Sequence, residues 1–217
     1  MSVCQCQGIE SLFDQRLAAA DLEKVRRRGP LKTSRLLIEA LRARGVQGRT
    51  LLDIGGGVGA VQHQLLAAGL REATDVDASS SYLRAAKSEA ERLGFEGRVR
   101  YHYGNFVELA QGIPPSDIVT LDRVICCFDD MQGLVSASAD KARLLYGVVY
   151  PRDAWWTRLG IRLMNLGHRI RGRQYRAFAH RTAAVESILG ARGLAKSFHC
   201  TAGLWQVAVF TREAARP

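Results

Sequence analysis

Thr50-Leu51-Leu52-Asp53-Ile54-Gly55-Gly56-Gly57-Val58-Gly59 is the stretch whose reading decides the fold. Thr50 to Ile54 reads as a short buried strand, and Val61 to Ala68, closed by Gly69, reads as a helix. Glycines between a strand and a helix let the backbone turn tightly and come close to a ligand. The helix that follows presents free N–H groups in its first turn. In dinucleotide-binding folds such a loop cradles a pyrophosphate. Two features depart from that use here. The strand carries an acid, Asp53, just ahead of the glycines, where dinucleotide folds keep apolar residues. The glycines recur at alternate positions, Gly55, Gly57 and Gly59, instead of the G-x-G-x-x-G spacing.

Strands and helices keep alternating downstream. Ala73 to Asp77 is a second strand, Ser80 to Leu93 a helix and Val99 to Tyr103 a third strand. The turn Pro114-Pro115-Ser116 precedes a fourth strand, Asp117 to Leu121. A helix over Leu134 to Leu144 leads into the strand Tyr146 to Tyr150. After an interruption come a short helix, Val185 to Ala191, and two closing strands, Ala195 to Cys200 and Leu204 to Phe210. This rhythm predicts an α/β fold: a doubly wound, mostly parallel sheet of seven strands with helices on both faces. Upstream, Phe13, Leu17, Leu22 and Val25 mark one helix that Gly29-Pro30 stops, and a second runs from Thr33 to Gly45. A single domain is expected, with an N-terminal helical lid (1–45), a ligand-binding core (46–150), a basic lid insertion after strand five (151–180) and a closing segment (181–217).

The chain has 217 residues, enough to bury a full core, and carries a formal net charge of +10. The excess gathers at Arg26-Arg27-Arg28 and between Arg152 and Arg176. Such a balance fits nucleic acid, an anionic membrane surface or an anionic small molecule. The first residues show no secretory signal, so a cytoplasmic protein is expected. The cysteines (Cys4, Cys6, Cys126, Cys127 and Cys200) are odd in number, which argues against a disulfide framework. Their spacing is not that of a zinc site, and no metal is expected.

A second acid, Asp77, ends the strand after the glycine loop, some 24 residues beyond Asp53. A carboxylate there can accept both hydroxyls of a ribose. Together these residues resemble the class I S-adenosylmethionine-dependent methyltransferases, whose first motif is an acid, any residue, then alternating glycines. Asp53, Gly55, Gly57 and Gly59 match that motif, with Gly56 inside it, and Val76-Asp77-Ala78-Ser79 matches the ribose-binding segment. Gly104-Asn105-Phe106 matches the adenine-side motif, with Asn105 replacing the usual acid. Leu121-Asp122-Arg123-Val124 falls where that family's pocket meets the transferable methyl. The match covers roughly Thr50 to Leu145. It implies S-adenosylmethionine as cofactor, with Asp53, Gly55, Gly56, Gly57, Gly59, Asp77, Ala78, Asn105, Phe106 and Asp122 around it.

The acceptor is expected to be a small molecule, anionic or lipophilic, methylated on O, N or S. His180, Asp122 and Tyr150 are the candidate catalytic residues, His180 first because it titrates near neutrality. Arg123, Cys126, Cys127, Arg152 and Arg28 are candidate substrate-lining residues. An RNA substrate using the basic surface is an alternative, but no Asn-Pro-Pro-Tyr motif follows strand four and nucleic acid is disfavoured. Another alternative is a thiol or metalloid substrate using the cysteines. If 155–170 is helical, Trp155, Leu159, Leu163, Leu166 and Ile170 share a face beside Arg158, Arg162, Asn165 and Arg169. The first reading of that helix is a lid with its apolar face on the core. Peripheral contact with an anionic membrane and phosphate contact with nucleic acid are the others.

Overall fold

A central seven-stranded sheet organises the chain in the order β3-β2-β1-β4-β5-β7-β6. The strands are β1 (Thr50–Ile54), β2 (Glu72–Asp77), β3 (Val99–Tyr103), β4 (Ser116–Asp122), β5 (Ala142–Pro151), β6 (Leu194–Ala202) and β7 (Trp205–Arg212). The first five pair in parallel, while β7 runs antiparallel between β5 and β6, so the sheet is mixed. The computed structural model describes residues 3–172 and 175–213. The side chains of Cys4 and Cys6 lie outside the described residues.

Strand alternation sorts the core into two layers. Leu52, Ile54, Val119, Leu121, Tyr146 and Val148 face one side, with α6 (Phe106–Leu109), α7 (Met131–Lys141) and α9 (Thr182–Gly190). Leu51, Ile118, Leu145 and Val149 face the other, under α3 (Lys32–Arg42) and α4 (Ala60–Ala67), while α5 (Ser80–Arg92) packs along β2 and β3. α3 packs so closely on β5 that a Cβ on Gly147 would stand 2.7 Å from Leu37 Cδ1. β5 begins at Ala142, inside the stretch expected to be helical up to Leu144. Parallel pairing of Ala142 with Ser116 claims those residues for the sheet.

The N-terminal stretch expected as one helix is two, α1 (Val3–Leu12) and α2 (Gln15–Arg28). Asp14 breaks them: its carboxylate accepts from Leu17 N at 2.8 Å as the N-cap of α2. Both are tied to α5. The Glu10 carboxylate accepts from Ser80 N (3.0 Å) and Ser80 Oγ (2.7 Å), capping that helix. Ser79 Oγ donates to the Phe13 carbonyl at 2.7 Å, and Tyr82 donates to Asp21 at 2.6 Å. Arg92 and Arg26 both bind Glu89, and they hold its carboxyl down at about 2.

The insertion forms α8 (Trp155–Ile170). Its apolar stripe was expected to sit on the core, and it does not. Trp155, Leu163 and Ile170 are 75%, 61% and 77% exposed, and Thr157 is the one buried residue of the helix. The inward side is narrow: Ile161 packs near Tyr175 and Ala177, and Asn165 bonds the Ala177 backbone in both directions. No described helix is long and apolar enough to cross a membrane.

Candidate active site

A cavity of about 320 Å³ opens at the carboxyl ends of β1, β2 and β4. In doubly wound sheets this is where the loops leave room for a ligand. Gly55 and Gly57 line it, both at positive φ (65° and 58°), so side chains there would be strained. A Cβ on Gly55 would also sit 2.5 Å from Val124 Cγ2. At Gly57 the nearest neighbour of such a Cβ is the Tyr82 ring at 3.5 Å, which leaves a shallow cradle.

Asp77 lies at the rim, at the end of β2. One carboxylate oxygen accepts from Gly57 N at 3.0 Å and the other from Ser79 N at 2.8 Å. Burial nonetheless pushes its carboxyl up to about 6, against the pull of those two N–H groups. Ala78, Asn105 and Phe106 also line the cavity. Asn105 Oδ1 caps α6 by accepting from Val107 N at 3.1 Å, and its Nδ2 donates to Glu108 at 2.7 Å. The capped amide oxygen keeps a second lone pair.

Three expected cofactor residues stand behind this wall instead of on it. Asp53 is fully enclosed and accepts from Thr120 Oγ1 at 2.7 Å. Burial raises its carboxyl to about 7. Asp53 pairs in register with Asp75, which takes Gln62 Nε2 at 2.8 Å. Burial raises Asp75 as well. A Cβ on Gly56 would meet the Asp75 carboxylate at 2.7 Å, and one on Gly59 would meet His63 at 2.4 Å. These glycines let the loop close over buried polar side chains.

The segment after β4 builds another side of the cavity. Asp122 lines the cavity, bound by the Ser34 hydroxyl and, at 3.3 Å, by Arg123 Nε. Arg123 is the one non-glycine at positive φ among the described residues (62°), a strained turn of the kind that clusters at functional sites. Its guanidinium lies 5.9 Å over the Trp205 ring. Cys126 and Cys127 follow, their sulfurs 3.9 Å apart, and Cys127 Sγ is 3.1 Å from the Tyr175 hydroxyl. Their mutual hydrogen bond raises the Cys126 thiol and lowers Cys127. Cys200 lies in the core layer on the far face of the sheet and does not join them.

The remaining expected residues do not reach the cavity. His180 Nε2 donates to the carbonyls of Phe128 (2.9 Å) and Ile125 (3.1 Å), and its ring stacks on Phe178. Burial lowers its pKa, so it is a neutral clamp on the loop after β4. Tyr150 is buried in the core beside Thr182. Arg152 stacks over Trp156, and Arg28 is exposed at the end of α2. Ile9, Phe13, Tyr82, Tyr175 and Trp205 line the cavity, and sequence reasoning assigned none of them to the site. Phe13 meets Tyr82 and Tyr175 edge-on at 5.6 and 6.0 Å. The Asp14 cap was the one local sign that Phe13 stands at a break and turns inward.

The family described as methyltransferase domain matches residues 52–141. No curated protein matches the sequence significantly. Among solved structures, magnesium protoporphyrin IX methyltransferase from Synechocystis with bound S-adenosylmethionine aligns with a TM-score of 0.65 at 19% identity, covering 84% of this chain and 79% of that one. An O-methyltransferase family protein from Burkholderia thailandensis aligns at 0.72 and 19% identity, covering 95% and 63%. A putative RNA methyltransferase from Pyrococcus horikoshii aligns at 0.64 and 12% identity, covering 88% and 86%. Residues 52–141 thus match a methyltransferase domain, and the chain shares the fold of methyltransferases solved with S-adenosylmethionine bound.

Proposed function

We propose that the enzyme methylates a small molecule bearing an acidic group on an otherwise lipophilic body. The largely apolar and aromatic lining of the cavity carries this reading. Ile9 from α1, Phe13 from the break between α1 and α2, and Tyr175 from beyond α8 line the same cavity as Asp77 and Asp122. A thin acceptor can enter such a space, whereas a folded RNA needs an open approach. Arg123 is the cation on the acceptor side of the wall, set among Val124, Phe128 and Trp205.

S-Adenosylmethionine supplies a methyl already activated on a sulfonium. The chain's task is therefore alignment and exclusion of water, which can contribute roughly 7–11 kcal/mol. Gly55 and Gly57 give the backbone close approach, Asp77 offers a carboxylate for the ribose hydroxyls, and Asn105 offers its amide oxygen to the adenine side. Asp122 is held by Ser34 and Arg123 with lone pairs to spare, so it can take the hydrogen of a hydroxyl or amine acceptor. A thiol acceptor needs less help. The metalloid alternative loses support, because only two described thiols meet.

The test is calorimetric titration with S-adenosylhomocysteine, followed by transfer of labelled methyl to a panel of small carboxylic, phenolic, amino and thiol acceptors and to RNA. Label should appear on a small acceptor, and Asp122→Asn should slow an O or N acceptor by about 10²-fold or more. Labelled RNA with no labelled small acceptor would refute the proposal.

A further inference from the structure

We propose that α8 docks the enzyme on an anionic lipid bilayer, lying in the surface and not crossing it. A helix on a globular protein turns its apolar stripe inward. In α8 the stripe of Trp155, Leu159, Leu163, Leu166 and Ile170 faces solvent along the whole length of the helix. This is a fixed orientation. The paired hydrogen bonds between Asn165 and the Ala177 backbone hold the opposite side against the body, with Ile161 beside them. Rolling the stripe inward would break both bonds and leave the Ala177 groups unpaired.

Charge decides the occupant. The helix contains Arg158, Arg162 and Arg169 next to the stripe and no acid from Trp155 to Ile170. Arg158 is paired with Asp153, whereas Arg162 and Arg169 have no carboxylate partner among the described residues. Exposed large apolar side chains with a flanking row of guanidiniums match the acyl boundary and the phosphates of an anionic bilayer together. Nucleic acid would engage the arginines and leave the stripe in water. A second copy of this helix would bring arginines against arginines. Trp155 and Trp156 add rings of the type that settle at the headgroup level.

Docking there would set the lipid surface beside the acceptor end of the cavity. Ile161, on the inner side of α8, packs in the same cluster as Ile9, Phe13 and Tyr175, which line the cavity. The surface thus stands independently of the acceptor assignment, yet fits a lipophilic one.

Co-sedimentation of the full chain with vesicles tests it. Vesicles of phosphatidylcholine with phosphatidylglycerol should pellet the protein and shift its tryptophan emission to the blue, and phosphatidylcholine alone should pellet much less. A triple variant, Trp155→Ser, Leu163→Ser and Ile170→Ser, keeps every charge and should lose at least tenfold in vesicle affinity while still binding S-adenosylhomocysteine. Arg162→Glu with Arg169→Glu should erase the preference for anionic lipid. The proposal fails if the wild type stays in solution with anionic vesicles, or if the triple variant pellets as well as the wild type. It also fails if the stripe proves to be a self-association surface, with a dimer that the triple variant dissociates and no vesicle binding.

Discussion

The two ends of the cavity are made of different material. The end we assign to the cofactor is mostly backbone: two glycines at positive φ, the N–H groups of Gly57 and Ser79, and one carboxylate, Asp77, that binds both. The end we assign to the acceptor is mostly side chain: Asp122, Arg123, Cys127, Tyr175 and Trp205, drawn from three separate stretches of sequence. A backbone cradle tolerates few substitutions because its shape depends on the absence of Cβ atoms. A wall of side chains can be exchanged residue by residue, which is how one fold comes to serve many acceptors.

The largest expected effects therefore fall on the cofactor end. Gly57→Val would force a β-branched residue to φ near 58° and fill the cradle, and S-adenosylhomocysteine binding should vanish in calorimetry. Asp77→Ala should weaken that binding by more than about tenfold, or at least about 1.4 kcal/mol. Tyr175→Phe, at the other end, should leave cofactor affinity almost unchanged. If Tyr175→Phe and Asp77→Ala cost the same affinity, the division between the two ends is wrong.

His180→Ala probes the acceptor end at a position that holds the wall without facing the cavity. Removing the imidazole strips the carbonyls of Ile125 and Phe128 of their shared donor. An unpaired buried group costs about 1–3 kcal/mol, and each kcal/mol lowers the melting temperature of a chain this size by roughly 2–4 °C. Scanning calorimetry should show that drop with cofactor affinity intact. An unchanged melting temperature with loss of turnover would restore His180 as a base.

The same contrast explains what was legible in the sequence. Alternate glycines after a strand, and an acid at the end of the next, are steric and electrostatic requirements met within a few residues. They are readable locally, and the cavity opens beside them. What Asp53 and Gly59 touch was not readable, since it depends on Asp75, Gln62 and His63 arriving from neighbouring elements. His180 looked like a base because titration is a property of the residue type, while its clamp on Phe128 spans 52 positions. The outward stripe of α8 had the correct periodicity and the opposite direction. Periodicity defines a face, and only Asn165 meeting Ala177 decides which way it points.

The smallest effect concerns the polar layer beneath the cradle. Asp53 and Asp75 are paired in register, both buried, and one oxygen of each lacks a hydrogen-bond partner among the described residues. Burial holds Asp53 near 7 against an ordinary 3.8, so the folded chain binds this proton more tightly than the unfolded chain does. Its contribution to stability is therefore complete below the unfolded value and is lost as pH climbs through about 7. Asp53→Asn keeps an oxygen for Thr120 and offers an N–H toward Asp75 without adding charge. At about pH 8 the variant should melt roughly 2–4 °C above the wild type, and the gain should shrink to nothing toward about pH 4. His63, which burial lowers to about 4, tilts the curve the other way, but equally in both proteins, so the difference reports the Asp53–Asp75 layer. A variant that melts lower at every pH would show that the Asp53 charge is satisfied where it lies, and that the cradle rests on an ionised layer.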